Sequence, residues 1–178
     1  MEKERTHLLK IIFAGVLAAM VYIVTLFRFP LLGSKVHFAN AVCLLSGMLL
    51  GPVWGGAAAG LGSALYDAFG GGYDALNVLI TFVSKFAMAW VCGMLLRRDG
   101  GQSSSKTLRL VIAGVAGEAA YIALYLLKSL LMYGWAGMVS RFPASIINAA
   151  VATVAAPPLF KAMMPALRQT LDKGLRAS

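Results

Sequence analysis

Acidic residues, histidine and cysteine are all scarce in this sequence, and each scarcity removes a class of function. Seven Asp or Glu and two His in 178 residues leave no grouping with metal-ligand spacing and no Ser or Cys beside a His or carboxylate, so neither a metal centre nor a catalytic set is expected. Two cysteines, Cys43 and Cys92, both inside apolar runs, are too few for a disulfide framework and read as small packing residues. No phosphate-cradling glycine loop is present. ATP chemistry would therefore have to come from another chain. Charged residues make up only 13% of the chain while 60% is hydrophobic and mean hydropathy is +0.78. That is too little polar material to cover a soluble surface.

What is present is apolar length. Runs fall at residues 8–27, 37–50, 52–69, 76–97, 107–133 and 142–164, and a span needs roughly 20 apolar residues. The stretch from His37 to Phe69 is too long for one crossing: as a single helix it would reach about 50 Å at 1.5 Å per residue, against a hydrocarbon core of about 30 Å. Gly51-Pro52 offers the turn, with Pro52 tolerated in the first turn of the helix that follows. The expectation is an all-α integral membrane protein, one domain over residues 1–178, with six spans and both termini cytoplasmic. In that arrangement Lys3, Arg5, Lys10, Arg97, Arg98, Lys106, Arg109, Lys161, Arg168, Lys173 and Arg176 lie inside. A five-span arrangement with the N-terminus outside satisfies the positive-inside rule almost as well, and helix length with the cytoplasmic placing of Lys3, Arg5 and Lys10 favours six.

The net charge of +9 does not point to nucleic acid. The basic residues sit at span ends, where topology and anionic lipid account for them. The first run resembles a signal peptide, but it is longer than a typical apolar core and no Ala-x-Ala site follows; it is expected to be retained as the first span. No internal repeat is evident, which argues against an inverted-repeat transporter. The connection "RRDGGQSSSK", Arg97 to Lys106, separates the first four spans from the last two.

Ionisable groups deep inside spans are rare and usually face a cavity or a partner. Lys85 lies about 13 Å into its helix at 1.5 Å per residue, and Glu118 is similarly deep. Glu118, Tyr121, Tyr125 and Lys128 follow steps of three and four, so they share a helix face. Asn77, Thr81, Ser84, Lys85 and Met88 make a second stripe, and Arg141, Ser145 and Asn148 a third. A Lys85–Glu118 salt bridge with interhelical hydrogen bonds is the plainer account. A solute pocket lined by the stripes is the sharper one, with Tyr121, Tyr125 and Trp90 offering faces for a flat ring. His37 and Asn40 open the second helix, as capping residues or as contacts that close the site. Asp74 is placed to cap the fourth helix. Ala14 and Ala18, beside Gly15 and Ala19, mark close packing, either within the bundle or against another membrane protein.

The segment "VHFANAVCLLSGMLLGPVWGGAAAGLGSALYDAF" resembles the S component of energy-coupling factor (ECF) vitamin transporters, especially the riboflavin-type group. The matching positions are the "HFAN" of His37 to Asn40, the "GPVWG" of Gly51 to Gly55, and Asp67, followed across the chain by the AxxxA of Ala14 and Ala18. The resemblance implies a multi-pass subunit of a prokaryotic cell membrane that captures a small water-soluble vitamin or precursor from outside. It also implies partners: a membrane coupling protein docked on the Ala14 and Ala18 surface, and two cytoplasmic ATPases that use ATP. The chain itself would be no enzyme and would need no cofactor. From these readings the expected substrate contacts are Lys85, Glu118, Tyr121, Tyr125, Asn77, Asn148, Trp90, Asn40, His37, Lys128 and Arg141. The competing reading is a membrane structural or assembly protein whose intramembrane polar residues only bridge helices.

Overall fold

Lipid offers no hydrogen-bond partners to a backbone, so apolar runs of this length must satisfy their own N–H and C=O groups as helices. The computed structural model, which describes residues 2–27, 29–31, 34–36, 38–98 and 106–176, is built accordingly. In chain order it contains α1 (Glu2–Leu26), a short antiparallel pair β1 (Phe29–Leu31) and β2 (Ser34–Val36), α2 (Ala39–Leu65) continuing into a π-helical turn (Tyr66–Gly70), α3 (Ala75–Arg98) and α4 (Thr107–Arg176). The strands pair Phe29 with Val36 and Leu31 with Ser34. All four helices are long and apolar enough to cross a membrane.

Six separate helices were expected from the hydropathy runs; four continuous ones are found, and two of these double back. Gly51 interrupts α2 with φ +79°, and Gly134 interrupts α4 with φ +68°, a region that an L side chain enters only under strain. Contacts across each break run in opposite chain directions. In α2 the Ser46 hydroxyl donates to the Gly55 carbonyl (2.8 Å) and Cys43 Sγ lies 3.8 Å from Ser63 Oγ. In α4 the Lys161 ammonium donates to Thr107 Oγ1 (2.6 Å). The Gly51 turn was visible in the sequence. The reversal at Gly134 replaces the longer connection expected between residues 133 and 142, because one left-handed glycine suffices.

α2 is the centre of the bundle. Two thirds (67%) of its apolar window is buried, against 28% to 33% in the other three, and every residue from Ala39 to Met48 is enclosed. α1, α3 and α4 pack around it and turn their other faces outward, with Leu8, Ile12, Leu79, Ile112 and Val154 each more than half exposed. An outward apolar face is what a lipid-facing surface requires. The first half of α2 meets α3 where Gly47 has no side chain: a Cβ there would lie 2.3 Å from the Ala89 carbonyl oxygen. Such backbone approach supplies the packing that holds helices together where water expulsion does not act.

Candidate functional site

Side chains at i, i+4 and i+7 stack on one helix face, and three such stripes converge at the end of the bundle that carries the β1–β2 pair. They enclose a cavity of about 320 Å³, within the range of small-molecule sites. α3 contributes Asn77, Thr81, Ser84 and Lys85. The half of α4 before Gly134 contributes Tyr121, Tyr125, Lys128 and Tyr133, and the half after it Arg141, Ser145 and Asn148. Thr25 of α1, Ala39 and Ser63 of α2, Asp67 and Tyr73 complete the wall.

Several of these groups are fixed before any solute arrives. Thr25, Ser84 and Ser145 donate their hydroxyl protons to the carbonyls of Val21 (2.6 Å), Ile80 (2.7 Å) and Arg141 (3.0 Å), which leaves oxygen lone pairs available as acceptors. Tyr121 and Tyr125 stack at 5.5 Å and 26°. The Lys85 ammonium lies 3.7 Å from the centre of the Tyr121 ring, and the Arg141 guanidinium 3.9 Å from that of Tyr133. A cation held on a ring keeps its direction while its N–H groups stay available at the edge.

Beneath Lys85 the arrangement differs from a simple ion pair. Lys85 and Glu118 do not pair directly; Asn40 stands between them. The Lys85 ammonium donates to Asn40 Oδ1, and Asn40 Nδ2 donates to Glu118 Oε2 at 3.1 Å. Asparagine can do this because one amide carries both an acceptor and two donors. The relay is buried, with Asn40 at 0%, Glu118 at 2% and Lys85 at 4% exposure, and Glu118 Oε1 has no hydrogen-bond partner among the described residues.

The structure therefore sorts the expected contacts. Lys85, Tyr121, Tyr125, Asn77, Asn148, Lys128 and Arg141 come together on the cavity wall. Glu118 and Asn40 lie beneath it rather than on it, so Asn40 is no lid. Trp90 is absent from the wall and 36% exposed. Five residues beyond Lys85 on the same helix, it stands about 140° around the axis. His37 lies outside the described residues.

Asp67 and Tyr73, which the stripes do not include, also reach the cavity. The π-helical turn places them: Gly71 N–H donates to the Tyr66 carbonyl five residues back (2.7 Å), and Tyr73 N–H to that of Asp67 (3.1 Å). One extra residue in a helical turn re-aims the side chains that follow. The only sequence signal for Asp67 was its place at the end of the small-residue helix. Asp74 behaves as expected, capping α3 by accepting from the Asn77 backbone N–H (2.8 Å) and side-chain amide (2.7 Å). Those two donors hold its carboxyl below the usual range, the backbone one contributing most.

Ala14 and Ala18 do not form an outer surface. Both are 9% exposed and pack with Leu17 against Ala58 of α2. Gly62 lets the helices close, since a Cβ there would lie 2.3 Å from the Ala18 carbonyl oxygen. Their neighbours Gly15 and Ala19, also four apart, are the small residues that face outward, with open space beside Gly15.

Comparison with known proteins agrees with this architecture. The family described as ECF-type riboflavin transporter, S component, matches residues 5–165. A solved structure of the S component of a bacterial ECF transporter superposes with a TM-score of 0.67 over 89% of this chain and 96% of that one, at 20% identity, so it is similar in fold. No curated protein sequence gives a significant match. The chain belongs to the ECF-type riboflavin transporter S-component family, whose members are integral membrane, substrate-binding subunits of transporters and not enzymes.

Proposed function

We propose that this chain captures a small, ring-bearing, water-soluble vitamin or precursor outside the cell and delivers it through an energising module. The observation that carries the reading is the cavity itself: stacked Tyr121 and Tyr125 beside three cations and several pre-oriented hydroxyls. A purely structural role would need only the Lys85–Asn40–Glu118 relay. In this reading the doubled-back α2 and α4 make six spans, both termini are cytoplasmic, and the cavity opens outward at the β1–β2 end. A membrane coupling protein and two ATPases supply the energy. Solute occupancy influences docking only through different affinities of the two bundle states.

Mass spectrometry of solute carried through purification is the direct test, followed by thermal shift of the detergent-solubilised protein with that compound. One saturable solute is expected. Stabilisation by no vitamin, nucleobase or precursor, with nothing co-purifying, would remove the reading.

Coupling is assigned to the outward face of α1, where Gly15 and Ala19 leave a smooth strip for a partner helix. Gly15→Leu with Ala19→Leu is expected to abolish uptake in cells while solute affinity stays within about twofold, a change too small to register as lost binding energy. Equal loss of uptake and binding would place the partner elsewhere.

A further inference from the structure

Resting on that reading of the cavity, we propose that its solute carries an anionic group, a carboxylate or a phosphate, held by Lys128 and Arg141. Charge is unevenly distributed around the cavity. The described wall presents three cations, Lys85, Lys128 and Arg141, and one carboxylate, Asp67. The other nearby acids face different work: Glu118 is beneath the wall and engaged with Lys85 through Asn40, while Asp74 is fully exposed and already accepts two hydrogen bonds from Asn77.

Lys85 is thus answered from below, whereas Lys128 stands among the other charges of the wall. Its side chain is only 8% exposed and lines the cavity. Asp67 and Asp74 attract it and Arg141 repels it. The Arg141 guanidinium carbon lies 3.9 Å from the centre of the Tyr133 ring, a cation–π contact that leaves N–H groups for an oxyanion. Two cations sharing one cavity wall repel each other. An oxyanion from the solute placed between them relieves that repulsion. The ring platform of Tyr121 and Tyr125 adjoins on the same half-helix, three residues from Lys128, so a ring and its anionic substituent are served together.

The test compares matched probes that differ in this group alone: nicotinate with nicotinamide, pyridoxal 5′-phosphate with pyridoxal, and riboflavin 5′-phosphate with riboflavin, each titrated calorimetrically into the intact detergent-solubilised protein. A charge-assisted hydrogen bond contributes about 1.5–3 kcal/mol. The anionic member of the pair that fits is therefore expected to bind at least roughly tenfold more tightly. The first pair reads a carboxylate and the other two a phosphate. Lys128→Gln should collapse the ratio towards one by weakening the anionic member more than the neutral one, and Lys128→Arg should preserve it. A neutral member that binds as well as its anionic partner, or a ratio untouched by Lys128→Gln, overturns this inference and leaves the solute-binding reading standing. Absence of binding by all six compounds, and of any co-purifying solute, removes both.

Discussion

Replacing Asn40 by Leu should cost this protein about 3–5 kcal/mol, the penalty for leaving buried charges without their partners. The substitution keeps the γ-branched shape but takes away both ends of the relay: the acceptor for Lys85 and the donor for Glu118. Glu118 already has one oxygen without a hydrogen-bond partner among the described residues, so it would then have none for either. The melting temperature in detergent should fall accordingly. The triple variant Asn40→Leu, Lys85→Met, Glu118→Met removes the charges as well as the amide and should recover most of the loss, since apolar replacement of a buried ionic set is often neutral. A single variant as stable as the parent would show that the relay is not what satisfies these charges. The triple variant also separates the two functional readings: folded but unable to bind supports a solute site, and folded with full activity supports a structural one.

Tyr121→Leu carries the largest expected effect on binding. It removes the surface on which Lys85 is held, 3.7 Å from the ring centre, and it breaks the stack with Tyr125. Ring stacking and a desolvated cation–π contact are each worth about 1–3 kcal/mol, so affinity for the co-purifying solute should fall roughly 100-fold by the usual conversion. Tyr121→Phe keeps the ring and should lose far less. Equal losses in both would move the role from the aromatic face to the hydroxyl. Thermal melting of the unliganded variants provides the control, because a leucine fills much of the same space.

How far these features were readable in the sequence depends on how local their causes are. Gly51-Pro52 was legible because helix length against bilayer thickness demanded a break there and the residue pair could supply one. The stripes on α3 and α4 were legible because three- and four-residue steps fix a shared face whatever surrounds it. Asn40 was placed at the rim for the opposite reason. Its position between Lys85 and Glu118 depends on the relative depth of three helices, which no single stretch encodes. Trp90 is near Lys85 in number but not in angle. Ala14 with Ala18 and Gly15 with Ala19 satisfy the same spacing, and only the close approach at Gly62 decides which pair turns inward. Gly134 lay in the connection expected between residues 133 and 142, but nothing local showed that this one residue makes the whole turn.

The contact that joins α1 to α2 lies apart from most of the cavity wall. Most of the wall comes from α3 and α4, whereas the backbone-to-backbone closure at Gly62 joins α2 to α1. Substitutions on the α4 stripes can therefore accumulate without loosening the α1–α2 framework on which recognition by a common engine would rest. Such a layout would let the bound solute vary while the α1–α2 frame stays the same.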